Sequence, residues 1–360
     1  MFYDVMGLVI ADNKRISLGE LTRPRALAAT PFAGRYRFID FMLSNMVNSD
    51  IGVIGVVTFN KYRSLMDHLG TGRAWDLTGR TRGLFLLPPF AYSITGTTGE
   101  TSTEYDGISG IVDFLRSHRH EQVIVASSNV LFNHAFQDFI QRHTDSGADV
   151  SILFNRDGTR FGGPVMILET DRAGWVRDVL ATPAKSRSNR SSMGVVILRR
   201  QLLIDLLTEA IARREREFSV ESILHRHADL RIMGVESDWF TLRINSVQGY
   251  FAATMRLLED DARNALFWSG LPVFTKVKDM APALYGSDSQ VSNSMISDGC
   301  RIHGTVSDSL LFRGVTVARD SRLESCIILQ DSYISENCRL ENVIVDKYCT
   351  IRPGVRLVGT

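Results

Sequence analysis

LVIADNKRISLGELTRPRALAATPFAGRYR, residues 8–37, begins with the apolar run Leu8-Val9-Ile10, of the kind that forms a strand buried on both faces of a parallel sheet. Residues that follow such a strand lie at its carboxyl end, where open α/β sheets hold their ligands. A phosphate loop belongs there. Such a loop needs glycine, which accepts positive φ and lets backbone N–H groups close around phosphate oxygens without a Cβ in the way. Asp12-Asn13-Lys14-Arg15-Ile16-Ser17 contains none. The stretch has the outline of a nucleotide site without the residues that handle phosphate.

Downstream, Tyr36–Asn48 carries apolar residues at helical spacing and Ile51–Phe59 reads as a strand, which completes a strand–helix–strand unit. The alternation continues through a short helix at Lys61–Leu69, an apolar run at Leu84–Leu87 and a Gly/Thr/Ser-rich surface loop at 91–105. A helix at Gly107–His118, a strand at Gln122–Ala126, a helix at Ala135–Arg142 and a strand at Asp149–Phe154 follow. This pattern predicts an α/β domain with a mostly parallel sheet. Shorter strands are expected at Val165–Leu168, Trp175–Leu180, Met193–Leu198, Arg231–Val235 and Trp239–Ile244. Helices are expected at Gln201–Arg213, Val220–His227 and Ser246–Glu259, with a last helical stretch ending near Trp268. Residues 1–271 form the first domain in this reading, and 272–360 the second.

The second domain has another period. Leu311, Val317 and Leu323 recur at constant spacing as Ile328, Ile334 and Leu340, and again as Val345, Ile351 and Leu357. Three aliphatics in each repeat describe a coil of three short strands and three turns, the hexapeptide-repeat parallel β-helix. Each of the four cysteines, Cys300, Cys326, Cys338 and Cys349, lies two residues before an aliphatic and so points to the same inward side. They read as small core residues, with no CxxC spacing for zinc. The triplets His118–His120 and His225–His227 read as solvated helix ends, because alternate residues do not share a helix face.

At 360 residues and a formal net charge of +1, the chain gives no reason to expect nucleic acid or a membrane surface as partner. No apolar run approaches the roughly 20 residues of a membrane span, and the amino terminus lacks a signal pattern. A cytoplasmic location is expected.

Pro31–Arg37, Ile39-Asp40, Leu43–Asn45, Val47–Ser49, Tyr62–Leu65, Asp67-His68, Gly72-Arg73, Trp75-Asp76 and Val345–Lys347 together resemble the glucose-1-phosphate adenylyltransferase (ADP-glucose pyrophosphorylase) family. The resemblance runs in order along essentially the whole chain. It implies a nucleotidyltransferase domain followed by a left-handed parallel β-helix. In the family a GGxGxR loop holds the nucleotide triphosphate, and a nearby lysine, two aspartates that ligate Mg²⁺ and a sugar-phosphate lysine complete the site. Here the loop arginine falls at Ser17 and the first lysine at Leu27. The first metal aspartate falls at Ser128, the sugar-phosphate lysine at Thr182 and the second metal aspartate at Arg243.

Phosphoryl transfer between two anions rests on positioning, metal and cations at the developing charge, and removing one such contact costs about 10²- to 10³-fold. The resemblance therefore points to a non-catalytic, GlgD-type subunit with no metal or cofactor of its own, in a hetero-oligomer with a catalytic, Mg²⁺-using homologue in glycogen biosynthesis. It further implies that Arg35, Arg37, Arg63 and Arg73, which lie in retained motifs, bind an anionic metabolite effector. Two alternatives stand beside it. One is an active but altered nucleotidyltransferase whose loop keeps Lys14 and Arg15 for residual anion binding. The other is a hexapeptide-repeat acyltransferase, for which His303 is the histidine in the repeat that could act as a base.

Overall fold

The computed structural model describes residues 4–13, 15–59, 61–79, 81–88, 104–156, 165–180, 188–213, 229–267 and 270–359. The expected loop at 91–105, the helix at 220–227, the second histidine triplet, Lys14 and Thr182 fall wholly or mainly outside them.

Strand β1 (Val5–Ile10) lies inside a nine-stranded sheet and is buried on both faces. It pairs in parallel with β4 (Val53–Val57) and β6 (Gln122–Ser127), and β4 pairs in parallel with β5 (Gly83–Leu87). Between β1 and β4 come the hairpin β2 (Pro31–Phe32) and β3 (Tyr36–Arg37) and helix α1 (Phe38–Asn48). Helix α2 (Arg63–Leu69) precedes β5, and α3 (Glu104–Arg116) precedes β6. Beyond β6 lie β7 (Val130–Leu131), α4 (Gln137–Ser146), β8 (Val150–Asn155), β9 (Ile167–Thr170), β10 (Val176–Leu180), β11 (Ser191–Arg199) and α5 (Arg200–Ala212). The domain closes with β12 (Ile232–Glu236), β13 (Leu242–Arg243), α6 (Val247–Met255) and α7 (Asp260–Phe267).

Alternation along β1 divides two cores. Val5 and Val9 face α1 and α4, whereas Met6 and Leu8 face α3 and α5. Gly7 is the point of closest approach: a Cβ there would stand 2.6 Å from Met46 Sδ.

The sheet departs from the expected parallel alternation at β11, which runs antiparallel between β6 and β8, and at the antiparallel pair β9–β10. Three other expectations are corrected. The helix begins at Phe38, because Tyr36 and Arg37 pair with Pro31 and Phe32. The strand expected at Trp239–Ile244 shortens to Leu242–Arg243, which pairs only with β7. The end of α3 is packed, not solvated: His118 Nδ1 lies 2.8 Å from the Phe114 carbonyl, and its ring rests against Phe85 and Phe114.

The second part is a parallel β-helix of two five-stranded sheets and one four-stranded sheet. Its register is the one the sequence period predicts. Leu311, Ile328 and Val345 stack, as do Val317, Ile334 and Ile351, and Leu323, Leu340 and Leu357. The rung above pairs Ile296 with Leu311, a shorter step along the chain than the one from Leu311 to Ile328, because the corner between Ile302 and Val306 is shorter than those below it. Gly304 permits this: a Cβ there would clash with the Ser321 carbonyl. Corners are turned by residues in the left-handed region, stacked as Asn293, Asp308, Ser325 and Asn342 and as Gly299, Gly314, Asp331 and Tyr348. Cys300, Cys326 and Cys338 are buried in the coil core and Cys349 is partly so, as their positions predicted.

A third core joins the two parts. Phe32, Phe38 and Phe41 of the hairpin and α1 meet Tyr250 and Leu266 on one side and Leu310, Phe312, Ile327 and Leu329 of the β-helix on the other. Residues 272–276 are strapped along α1. Asn48 donates to the Pro272 carbonyl, the Phe274 N–H donates to Ser44 Oγ, and the Thr275 hydroxyl donates to Asp40 Oδ2 at 2.6 Å. Among the described residues no helix is long and apolar enough to cross a membrane.

Candidate functional site

At the carboxyl end of β1 the chain turns into the loop without glycines. Asp12 Oδ2 accepts from the Thr58 hydroxyl (2.9 Å) and the Phe59 N–H (3.2 Å), and Oδ1 accepts from the Leu27 N–H (3.2 Å). A carboxylate thus takes up the donors around this strand end and presents negative charge to any phosphate that approaches. Asn13 closes the loop on itself by accepting from the Arg15 N–H at 2.9 Å and the Ile16 N–H at 3.0 Å. Ile16, Leu18 and Leu27 are buried in the third core, so apolar anchors stand where a loop would need freedom to wrap a ligand. Ser17 and Arg15 are exposed.

The two positions implied for metal-binding aspartates do come together. Strand β7 follows directly on Ser128-Asn129 and pairs Val130 with Arg243 of β13. Asn129 Nδ2 donates to Asn245 Oδ1 at 2.7 Å, and the Ile244 N–H donates to the Asn129 carbonyl. Ser128 is buried, and the buried Arg243 guanidinium donates to the Ser192 carbonyl. A hydroxyl, two amides and a guanidinium do not suit Mg²⁺, which requires anionic oxygen, and the arginine would repel it. Among the described residues no group of three or more His, Cys, Asp or Glu side chains could hold a metal ion.

Where the two parts of the chain meet, cations gather. Arg25 is buried and grips Asp346 of the β-helix through both Nη atoms, each at 2.9 Å, while Nη1 also donates to the Leu21 carbonyl. Arg37 Nη1 donates to the carbonyl (2.6 Å) and Oγ (3.0 Å) of Ser64. Lys347, half-buried beside them, is pushed down to about 7 by burial and by the neighbouring Arg37 and Arg25, with Asp346 pulling the other way and Lys278 adding repulsion. Besides Asp346, which pairs with Arg25, the carboxylates of Asp40 and Asp67 act on Arg37.

The sequence-expected arginines do not all belong to this cluster. Arg37 does. Arg35 lies over the Tyr36 ring, 5.5 Å from its centroid, and nearer Arg313, while Arg63 and Arg73 are exposed at the start of α2 and in the turn Arg73–Trp75. Lys347 stands in the retained motif Val345–Lys347, whereas neither motif nor periodicity marked Arg25. His303, half-buried, stacks over Gly286 of the rung above.

Comparison with known proteins agrees with this architecture. Residues 16–239 match the nucleotidyl transferase family, and residues 280–360 match the GlmU-like C-terminal hexapeptide family. The glycogen biosynthesis protein GlgD of Bacillus subtilis is 33% identical over 99% of this chain and 93% of its own length. A glucose-1-phosphate adenylyltransferase of Thermomicrobium roseum is 32% identical over 97% of the chain and 82% of its own length. Another, from Desulfitobacterium hafniense (strain DSM 10664 / DCB-2), is 28% identical over 98% and 89%. With its nucleotidyl transferase match and its β-helix, the chain belongs to the glucose-1-phosphate adenylyltransferase family and is similar within it to GlgD.

Proposed function

We propose that this chain is a cytoplasmic regulatory or structural subunit of ADP-glucose pyrophosphorylase in glycogen biosynthesis. Its partner, in a tetramer, is a catalytic homologue that makes ADP-glucose from ATP and glucose 1-phosphate with Mg²⁺. The observation that carries the reading is the buried Arg243 opposite Ser128 and Asn129, a cation tied by hydrogen bonding at the place where the reaction needs metal-binding carboxylates. Asp12 at the strand end works in the same direction, because it disfavours a bound triphosphate.

Alone, the chain is expected to form ADP-glucose at least ~10³-fold more slowly than the catalytic homologue, since several electrostatic contacts are lost together. Co-expressed with that homologue it is expected to co-purify at the mass of a mixed tetramer and to change the homologue's rate or effector response. Failure to co-purify together with unchanged kinetics would remove the proposal; metal-dependent ADP-glucose synthesis by the isolated chain would favour an active enzyme instead.

The regulatory part of the reading rests on the cluster of Arg25, Arg37 and Lys347, which suits a phosphorylated or carboxylated metabolite. Anion binding there favours the charged form of Lys347. Because its unliganded pKa is about 7, affinity is expected to be highest below that pH and to fall as pH rises through it, by up to about tenfold per unit. Calorimetric titration of inorganic phosphate into the chain between pH 6 and 9 measures this, and the Lys347→Met variant should lose the slope.

A further inference from the structure

The Asp12 carboxylate stands where β1 ends, and its two oxygens serve different segments. Oδ1 accepts from the Leu27 N–H at 3.2 Å, in the turn Leu27–Ala29 that leads to the hairpin. Oδ2 accepts from the Thr58 hydroxyl at 2.9 Å and the Phe59 N–H at 3.2 Å, directly after β4. Leu27 is buried and Thr58 fully so. Donors from two segments far apart in sequence thus converge on one carboxylate, as backbone N–H groups and hydroxyls do around a bound oxyanion.

The frame that aims these donors does not depend on the carboxylate. The Ala11 N–H donates to the Val57 carbonyl at 2.8 Å, and the Ala28 N–H donates to the Ala11 carbonyl at 2.9 Å, so backbone pairing fixes both segments against β1. Lys61 Nζ donates to the Thr22 carbonyl at 2.6 Å, a second tie between the chain beyond β4 and the far side of the loop. Ile16, Leu18 and Leu27 add apolar anchors in the third core. Deleting the carboxylate would therefore leave its donors in place around a space of its own size.

We propose that Asp12 is an intramolecular ligand: its carboxylate fills an oxyanion site made by the Leu27 and Phe59 N–H groups and the Thr58 hydroxyl, and in its absence that site takes a small free carboxylate. The space is that of a single carboxylate, too small for a nucleotide. Supplied from within, the carboxylate clasps the loop to both segments and keeps it closed without any metabolite. The inference concerns this chain alone. The reading of the chain as a partner subunit is carried by Arg243, Ser128 and Asn129 and would survive its failure.

The test is chemical rescue of the full chain, read as the melting temperature in sodium formate, sodium acetate or sodium chloride at equal ionic strength. Asp12→Ala is expected to melt several degrees below the native chain in chloride, because its donors lose a charged acceptor together. Formate should recover at least half of that loss, since the alanine methyl and formate together restore the atoms of the aspartate side chain. Asp12→Gly should instead be recovered better by acetate, whose methyl stands in for the missing Cβ. The native chain should gain nothing from either beyond chloride. Trypsin cleavage after Arg15, which is exposed in the loop, should speed up in Asp12→Ala and slow again in formate. If a variant does not fold in chloride, refolding yield from urea in the three salts gives the same comparison. Three results would overturn the inference. Asp12→Ala melting with the native chain would mean that the carboxylate clasps nothing. No gain from either carboxylate over chloride would mean that the donors find water or other partners and form no site. Equal gains in the native chain and both variants would reduce the effect to one of salt in general.

Discussion

Replacing Asp40 by alanine is expected to destabilise the chain by about 3–5 kcal/mol, because it removes the shared acceptor of a buried network. Asp40 is fully buried near the start of α1. Its Oδ2 accepts from the Arg37 N–H at 3.0 Å and the Thr275 hydroxyl at 2.6 Å, and its Oδ1 faces His68 Nε2 at 2.6 Å. Burial holds the His68 imidazole below its usual pKa, against the opposing pull of Asp40, so the ring is neutral at pH 7 and Nε2 donates. Alanine would strand three donors at once. One of them caps α1, one belongs to α2 and one ties the segment leading to the β-helix. Urea unfolding followed by circular dichroism gives the loss directly, and a change below about 1 kcal/mol would show that the network contributes little. Asp40→Asn should be milder, since the amide keeps one acceptor.

Phe312→Ala is expected to cost about 3–5 kcal/mol, the usual range for deleting a large aromatic from a packed core. Phe312 is fully buried and shares the third core with Phe32, Phe38, Phe41 and Tyr250. The ring is the β-helix's largest fully buried contribution to that core. A collapsed cavity would pull the coil toward the hairpin, but the hairpin is itself fixed by the Tyr250 hydroxyl, which donates to the Pro31 carbonyl at 2.9 Å. Little relaxation is therefore available, and the cost should lie toward the upper end. Differential scanning calorimetry would detect both the lower melting temperature and any splitting into two transitions. A single transition at the native temperature would mean that the two parts are not held by this core.

The β-helix was the most legible part of the sequence, because a coil repeats its inward positions and the repeat survives single substitutions. Its uppermost rung was not, since the short corner at Gly304 breaks the period that holds below it. In the first part, strand and helix identities followed from apolar spacing, whereas strand direction did not. Nothing local distinguishes β11, which runs antiparallel, from its parallel neighbours, because a strand buried on both faces has the same composition in either direction. Tyr36 and Arg37 continue the helical apolar spacing of α1, and only their pairing with Pro31 and Phe32 removes them from it. Ser128 and Arg243 were matched by order along the chain, and the structure brings those positions together. The charge cluster was half legible. Arg37 and Lys347 stood in quoted motifs, but their association with each other and with Arg25 depends on the third core, a contact that sequence spacing cannot encode.

The coil also acts as a ruler. Each rung advances the β-helix by one strand spacing, about 4.8 Å, so the number of rungs fixes how far along its axis Asp346 lies. Arg25 can reach that carboxylate only if the count is right, since an arginine fork cannot stretch by another rung. Removing one full coil would leave the remaining coils able to stack, yet it would carry Asp346 one strand spacing away from the arginine. In this chain length is therefore a form of addressing: a change of a whole coil keeps the stacking and redirects the junction, while a shorter change needs a remodelled corner such as the one Gly304 permits.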